Sequence, residues 1–208
     1  MLSGALGTLF AAVGLIGAST AVGGGILAAC GRREWSWTAP AVGLGAVTVI
    51  AWWAVRLPGH GWTAFGAVLA AAAVGAALAV LRLDGLRAAA RDGLPVAAAA
   101  LLAGFIPFAA EGHFGVLGTG FNVDMSQHLF AADWLTDPSR SAPGLYEQGY
   151  PLGPHALAAA AEAVSGQLTT AFSGITIAVV VIAALTALTG LAGWPRWRAW
   201  VALSLIHI

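Results

Sequence analysis

The chain has 208 residues, 59% of them hydrophobic and only 9% charged, and nine basic side chains balance nine acids to a net charge of zero. A soluble domain carries about a quarter charged residues. This composition, with its mean hydropathy of +0.84, therefore excludes a water-facing surface, and the lack of net positive charge or of a basic, aromatic-interleaved run argues against nucleic acid as a partner. The expected fold class is all-α: a polytopic transmembrane helix bundle with a long extracytoplasmic loop that contains short interfacial helices.

Apolar blocks of bilayer-spanning length run from Leu2 to Cys30, Pro40 to Leu57, Trp62 to Leu83, Leu94 to Ala110 and Leu168 to Gly193, and a sixth begins near Trp200. The first block has no basic region ahead of it and is longer than the apolar core of a secretion signal, so it reads as a spanning helix. Within it Gly17, Ala21 and Gly25 recur at four-residue spacing, a pattern that lets helix backbones approach closely in lipid. Cys30 is the only cysteine; it can form no intrachain disulfide and reads as a small packing residue.

All nine basic residues are arginine, and their placement alternates. Arg32 and Arg33 follow the first block, Arg82, Arg87 and Arg91 lie between the third and fourth, and Arg196 and Arg198 follow the fifth. Arginine is retained in cytoplasmic loops close to helix ends, so these three loops are expected inside. The amino terminus, the Pro58-Gly59-His60-Gly61 turn with nearby Arg56, and the segment 111–167 are expected outside a cytoplasmic (inner) membrane. Tryptophans 35, 37, 52, 53, 62, 194, 197 and 200 lie near the proposed helix ends, where an apolar ring with one polar N–H suits the interface.

The segment 111–167 concentrates the ionisable groups. It holds Glu111, Asp124, Asp133, Asp137, Glu147 and Glu162 against Arg140 alone, and it contains His113, His128 and His155. Residues 122–135 read as a short helix with Asn122 as N-cap, stopped by Pro138. At about 3.6 residues per turn Asp124, Gln127 and His128 share one face, whereas Asp133 lies on the opposite side. An Asp and a His four residues apart project from adjacent turns and can act as base and orienting partner, or can hold a divalent ion together. Two groups are too few for a zinc site, and no HExxH or paired CxxC pattern is present. Leu129, Phe130 and Trp134 are expected to lay this helix along the membrane surface. Farther on, Tyr146-Glu147-Gln148-Gly149-Tyr150-Pro151-Leu152-Gly153-Pro154-His155 is dense in turn formers. Pro154 suits the first position of an alanine-rich helix that ends at Gly166, with Glu162 near the face of His155. At about three turns that helix is too short to span and is expected to be re-entrant or interfacial.

Taken together, NVDMSQHLFAADWL, the turn-rich spacer and GYPLGPHALAAA resemble the GT-C superfamily of polytopic glycosyltransferases over roughly residues 115–165. The resemblance implies transfer of a sugar from a polyprenyl-phosphate donor to an extracytoplasmic acceptor. Asp124 would be the catalytic base and His128 its neighbour, orienting it or touching the donor phosphate. Gln127, Glu147, Tyr150 and His155 would bind substrate, Tyr150 and His155 shaping the donor pocket. Some members use a divalent cation, and an oxygen ligand such as Asp124 would suit magnesium or manganese. The expected partners are membrane lipid and a lipid-linked sugar donor. The chain departs from the family's pattern in placing four helices, rather than one, ahead of its acidic loop. The alternatives are a transporter or flippase of lipid-linked saccharides and a non-catalytic membrane scaffold.

The expected organisation is four transmembrane helices over 1–110, the candidate loop over 111–167, and a fifth helix with the start of a sixth over 168–202. The segment 203–208, Leu203 to Ile208, resembles a translated sequencing adapter. It is expected to be a non-native tail on a truncated gene product.

Overall fold

A computed structural model describes residues 2–112, 114 and 123–190. All regular elements among them are helices: α1 (Leu2–Ala29), α2 (Ala39–Ala54), α3 (His60–Arg82), α4 (Leu86–Ala110), α5 (Val123–Thr136), α6 (Gly144–Glu147), α7 (Gly153–Ser165) and α8 (Leu168–Ala187). Asn122, His113, Arg196, Arg198, the expected sixth helix and the segment 203–208 lie outside the described residues.

Four helices, α1, α3, α4 and α8, are long and apolar enough to cross a membrane. Their outer surfaces confirm what solvent they suit. Val80, Leu81, Leu94, Leu102 and Ile106 are 65–78% exposed, and a row of large apolar side chains facing outward is stable only where lipid replaces water. The second expected span is shorter than the others. α2 has 16 residues, about 24 Å at about 1.5 Å per residue, less than a hydrocarbon core of roughly 30 Å.

α1 is the central post, packed by α2, α3, α7 and α8, and α4 reaches the bundle through α8. Close approach to α1 is made possible by glycine. A methyl group on Gly43 of α2 would overlap the Ser19 carbonyl, and one on Gly23 would overlap that of Ala39. Gly25 meets Gly75 of α3, where an added Cβ would lie 2.5 Å from the facing Cα. The expected stripe Gly17-Ala21-Gly25 is corrected in part. Gly17 faces open space, whereas α8 approaches α1 at Thr8, Ala11 and Ala12, and α2 and α3 approach it from Ser19 to Gly25.

The fourth helix also begins earlier than the apolar block. It starts at Leu86, after a left-handed Gly85, so Arg87 and Arg91 stand on its first turns rather than in a loop. Ala88, Ala89 and Ala90 favour helix, and arginine stems can lie along apolar surface while their heads stay in water. At this end of the bundle the α1–α2 and α3–α4 connections are tied by backbone. Trp35 N–H donates to Asp84 C=O at 3.2 Å and Asp84 N–H to Arg33 C=O at 2.6 Å.

The other end is closed by α5 and α7. α7 is short, as its closing Gly166 at φ +75° requires, but it does not lie on the surface. Residues 155–160 are all buried, because α1, α2, α3, α5 and α8 surround it. α5 lies over α7 and turns Ala131, Ala132 and Leu135 inward. Phe130, one of the residues expected to lay this helix along the membrane surface, is 44% exposed.

Candidate functional site

The inward positions of α5, Ala131, Ala132 and Leu135, continue backward in steps of three and four to His128 and then Asp124. The same stripe that packs α5 on α7 therefore carries an imidazole at its edge and a carboxylate beyond it. Opposite stands His155, in the first turn of α7 and 3% exposed. Gly153 lets that turn approach α2: a Cβ there would lie 2.8 Å from the Thr48 methyl.

The two histidines meet edge to edge. His128 Nδ1 and His155 Nε2 are 2.8 Å apart, a full hydrogen bond, and their rings lie 5.0 Å apart and nearly parallel. On its other edge His128 Nε2 stands 3.7 Å from Asp124 Oδ1, within ion-pair range and longer than a hydrogen bond. Tyr150 lies against both imidazoles, with ring centres 5.6 and 5.9 Å away, and Phe172 of α8 closes the far side of His155 at 6.2 Å.

Burial of His155 among these groups, with the neighbouring His128 contributing, lowers its pKa to about 4, so His155 is neutral at pH 7. Its Nδ1 is buried without a partner. A bare lone pair costs less there than an orphaned N–H. The favoured tautomer therefore places the His155 proton on Nε2, where it donates to His128 Nδ1. His128 then carries its own proton on Nε2, facing Asp124. The result is a polar chain from the protein interior to a carboxylate that is 87% exposed.

The expected site residues fall into two groups. Asp124, His128, His155 and Tyr150 are brought together. Gln127 and Glu147 are exposed, and no hydrogen bond or ion pair joins them to the cluster. His155 is 3% exposed and bonded through Nε2 to His128. Among the described residues no three His, Cys, Asp or Glu side chains converge as a metal site would require. Asp124 supplies the one carboxylate of the cluster, and no step below uses a metal ion.

A second acidic surface lies behind the cluster. Glu162 of α7 faces Asp133 of α5 across an open groove of about 440 Å³. Burial, with the Asp133 carboxylate adding to it, raises the pKa of Glu162. Asp133 is itself held by Arg140, which also reaches Asp137 at 3.4 Å. Sequence spacing had set Asp133 opposite Asp124, and it does point away from the histidine pair, toward α7 residues that only the fold brings near.

Compared with protein-family models, with curated proteins and with solved structures, the chain matches none.

Proposed function

We propose that the protein is a membrane glycosyltransferase that moves a sugar from a polyprenyl-phosphate donor to an acceptor hydroxyl outside the cytoplasmic membrane. The observation that carries this reading is the chain Asp124, His128, His155 at the end of an apolar bundle: an exposed carboxylate backed by an imidazole that a second, buried imidazole holds in place.

In the reaction Asp124 takes the proton of the acceptor hydroxyl as its oxygen bonds to the anomeric carbon. The bond from that carbon to the phosphate oxygen breaks, and its electron pair leaves with the polyprenyl phosphate. His128 presents Nε2–H to the Asp124 carboxylate and keeps it aimed; the bond from His155 fixes the tautomer that makes this possible. Such a base contributes about 10²–10⁴-fold. Positioning of two substrates at a surface supplies the remainder.

The arginine-bearing end, on this reading, faces the cytoplasm. α1, α2, α3 and α8 carry no charge in their central turns, which favours chemistry at the end of the bundle over passage of a charged substrate along it. The test is Asp124→Asn assayed for sugar transfer from a polyprenyl-phosphate sugar in reconstituted membranes. Loss of transfer with normal insertion supports the reading; unchanged transfer refutes it.

A further inference from the structure

The end of the bundle away from His128 carries, among the described residues, five arginines, Arg32, Arg33, Arg82, Arg87 and Arg91, against three acids, Glu34, Asp84 and Asp92. Arg91 is paired with Asp92 at 3.2 Å. The other four arginines are exposed and, among the described residues, make no ion pair. Glu34 and Asp84 are exposed as well, and they leave the positive charge in excess.

These arginines stand on a fixed platform. Glu34 pairs with Asp84 in a single parallel bridge, and Asp84 N–H donates to Arg33 C=O. The α1–α2 connection that bears Arg32 and Arg33 is thereby held beside the α3–α4 turn that bears Arg82 and Arg87. Trp35 anchors the pairing, packed with Ala28 of α1, Ala79 of α3 and Leu83. Trp37 ties it to α4, where a Cβ on Gly93 would overlap the indole ring. Little ordering of the connections is left to oppose the binding of an anion.

The border of the platform is apolar. Val80 and Leu81, directly before Arg82, are 71% and 78% exposed, and Leu94, three positions after Arg91, is 66% exposed. A soluble anion gains nothing from that surface. A phospholipid does, because its chains lie along these side chains while its phosphate stands where the arginine heads leave the hydrocarbon. Guanidinium groups meet phosphate oxygens with paired N–H donors, and a headgroup of net negative charge is favoured over phosphatidylcholine, whose own ammonium offsets its phosphate. We infer that Arg32, Arg33, Arg82 and Arg87 form a docking surface for the headgroups of anionic phospholipid, with acyl chains against Val80, Leu81 and Leu94. The surface lies at the opposite end from Asp124, and the inference stands whether or not the chain transfers sugar.

The experiment places the full chain in nanodiscs of equal parts phosphatidylglycerol and phosphatidylcholine and counts, by native mass spectrometry, the lipids of each kind that stay bound on release. One arginine near an anionic headgroup is worth about fivefold, so phosphatidylglycerol should be retained over phosphatidylcholine by at least that factor. Arg82→Gln and Arg87→Gln together should bring the ratio near one, Arg82→Lys should keep it, and Arg56→Gln at the other end should leave it unchanged. The soluble headgroup glycerophosphoglycerol and inorganic phosphate should not displace the lipid. Equal retention of the two lipids overturns the inference, as does a loss in Arg56→Gln as large as in the double variant. Displacement by either soluble anion at matched concentration overturns it too, since the surface would then bind phosphate rather than lipid. If the double variant fails to fold, the wild-type ratio after a wash in concentrated ammonium acetate decides: exposed ion contacts are screened by salt, and an unchanged ratio overturns the inference.

Discussion

The two ends of the bundle close in different ways. At the end bearing Arg32, Arg33 and Arg82, two connections are stitched by backbone hydrogen bonds between Arg33, Trp35 and Asp84, and all three arginines remain exposed. At the other end α5 and α7 are inserted into the bundle, and their ionisable groups touch one another: His128 with His155, Asp124 with His128, Glu162 opposite Asp133. Charges that keep their water cost nothing to hold and serve to orient a membrane protein. His155 and Glu162 give up water and are held against a desolvation cost, and such groups cluster at functional sites.

The comparison is broken most directly by activity. Asp124→Asn or His128→Ala should lower sugar transfer by about 10²–10⁴-fold, whereas Arg33→Gln, at the opposite end, should leave the rate per inserted molecule within about twofold. Equal losses at both ends would erase the distinction.

Next in size is a pH effect on stability. His155 binds its proton less readily folded, near pH 4, than unfolded, near 6.5. The unfolded chain thus holds more protons between these values, and stability falls as pH drops through that window, by roughly 3 kcal/mol in all. Thermal unfolding between pH 7.5 and 4 should show this loss, and His155→Leu should flatten it while lowering stability at pH 7.5. A wild-type profile without the acid-side loss would contradict burial of a neutral imidazole.

Orientation is sharpened by the exposed Cys30 at the arginine-bearing end. In intact cells a membrane-impermeant maleimide should label it at least about tenfold less than a cysteine placed at Ser139 in a Cys30→Ser background, as the positive-inside rule requires. The reverse pattern would invert the bundle.

The smallest effect belongs to Glu162, whose raised pKa means that the folded protein favours its protonated form. Stability from this group is lost as pH rises through the carboxylate range. Glu162→Gln should therefore raise the melting temperature slightly at pH 7 and have no effect below that range. A lower melting temperature at pH 7 would show that the ionised carboxylate has a favourable partner.

Much of this architecture is legible in the chain. Apolar blocks mark α1, α3 and the start of α8 to within a few residues, since in lipid each backbone amide must find its partner within the helix. Gly166 ends α7 as its position after an alanine run suggests, and Asp124 and His128 meet because four residues are about one turn. The start of α4 was obscured by arginine, whose stem tolerates an apolar surface that its charge seems to forbid. The inward stripe of α5 was obscured by alanine: Ala131 and Ala132 pack by being small, while Phe130 and Trp134 carry the louder apolar signal.

Local sequence determined that this chain belongs in a bilayer, where its helices lie, and that Asp124 and His128 share a face, because these properties depend on hydropathy and on spacing within one or two turns. The tertiary structure alone decided that His155 would lose its water and bond to a histidine 27 positions away, that Gly25 would serve for close packing and Gly17 would not, and that Trp52 would line one groove with Tyr150. Those outcomes depend on which helix crosses which and at what height, and no single helix contains that information.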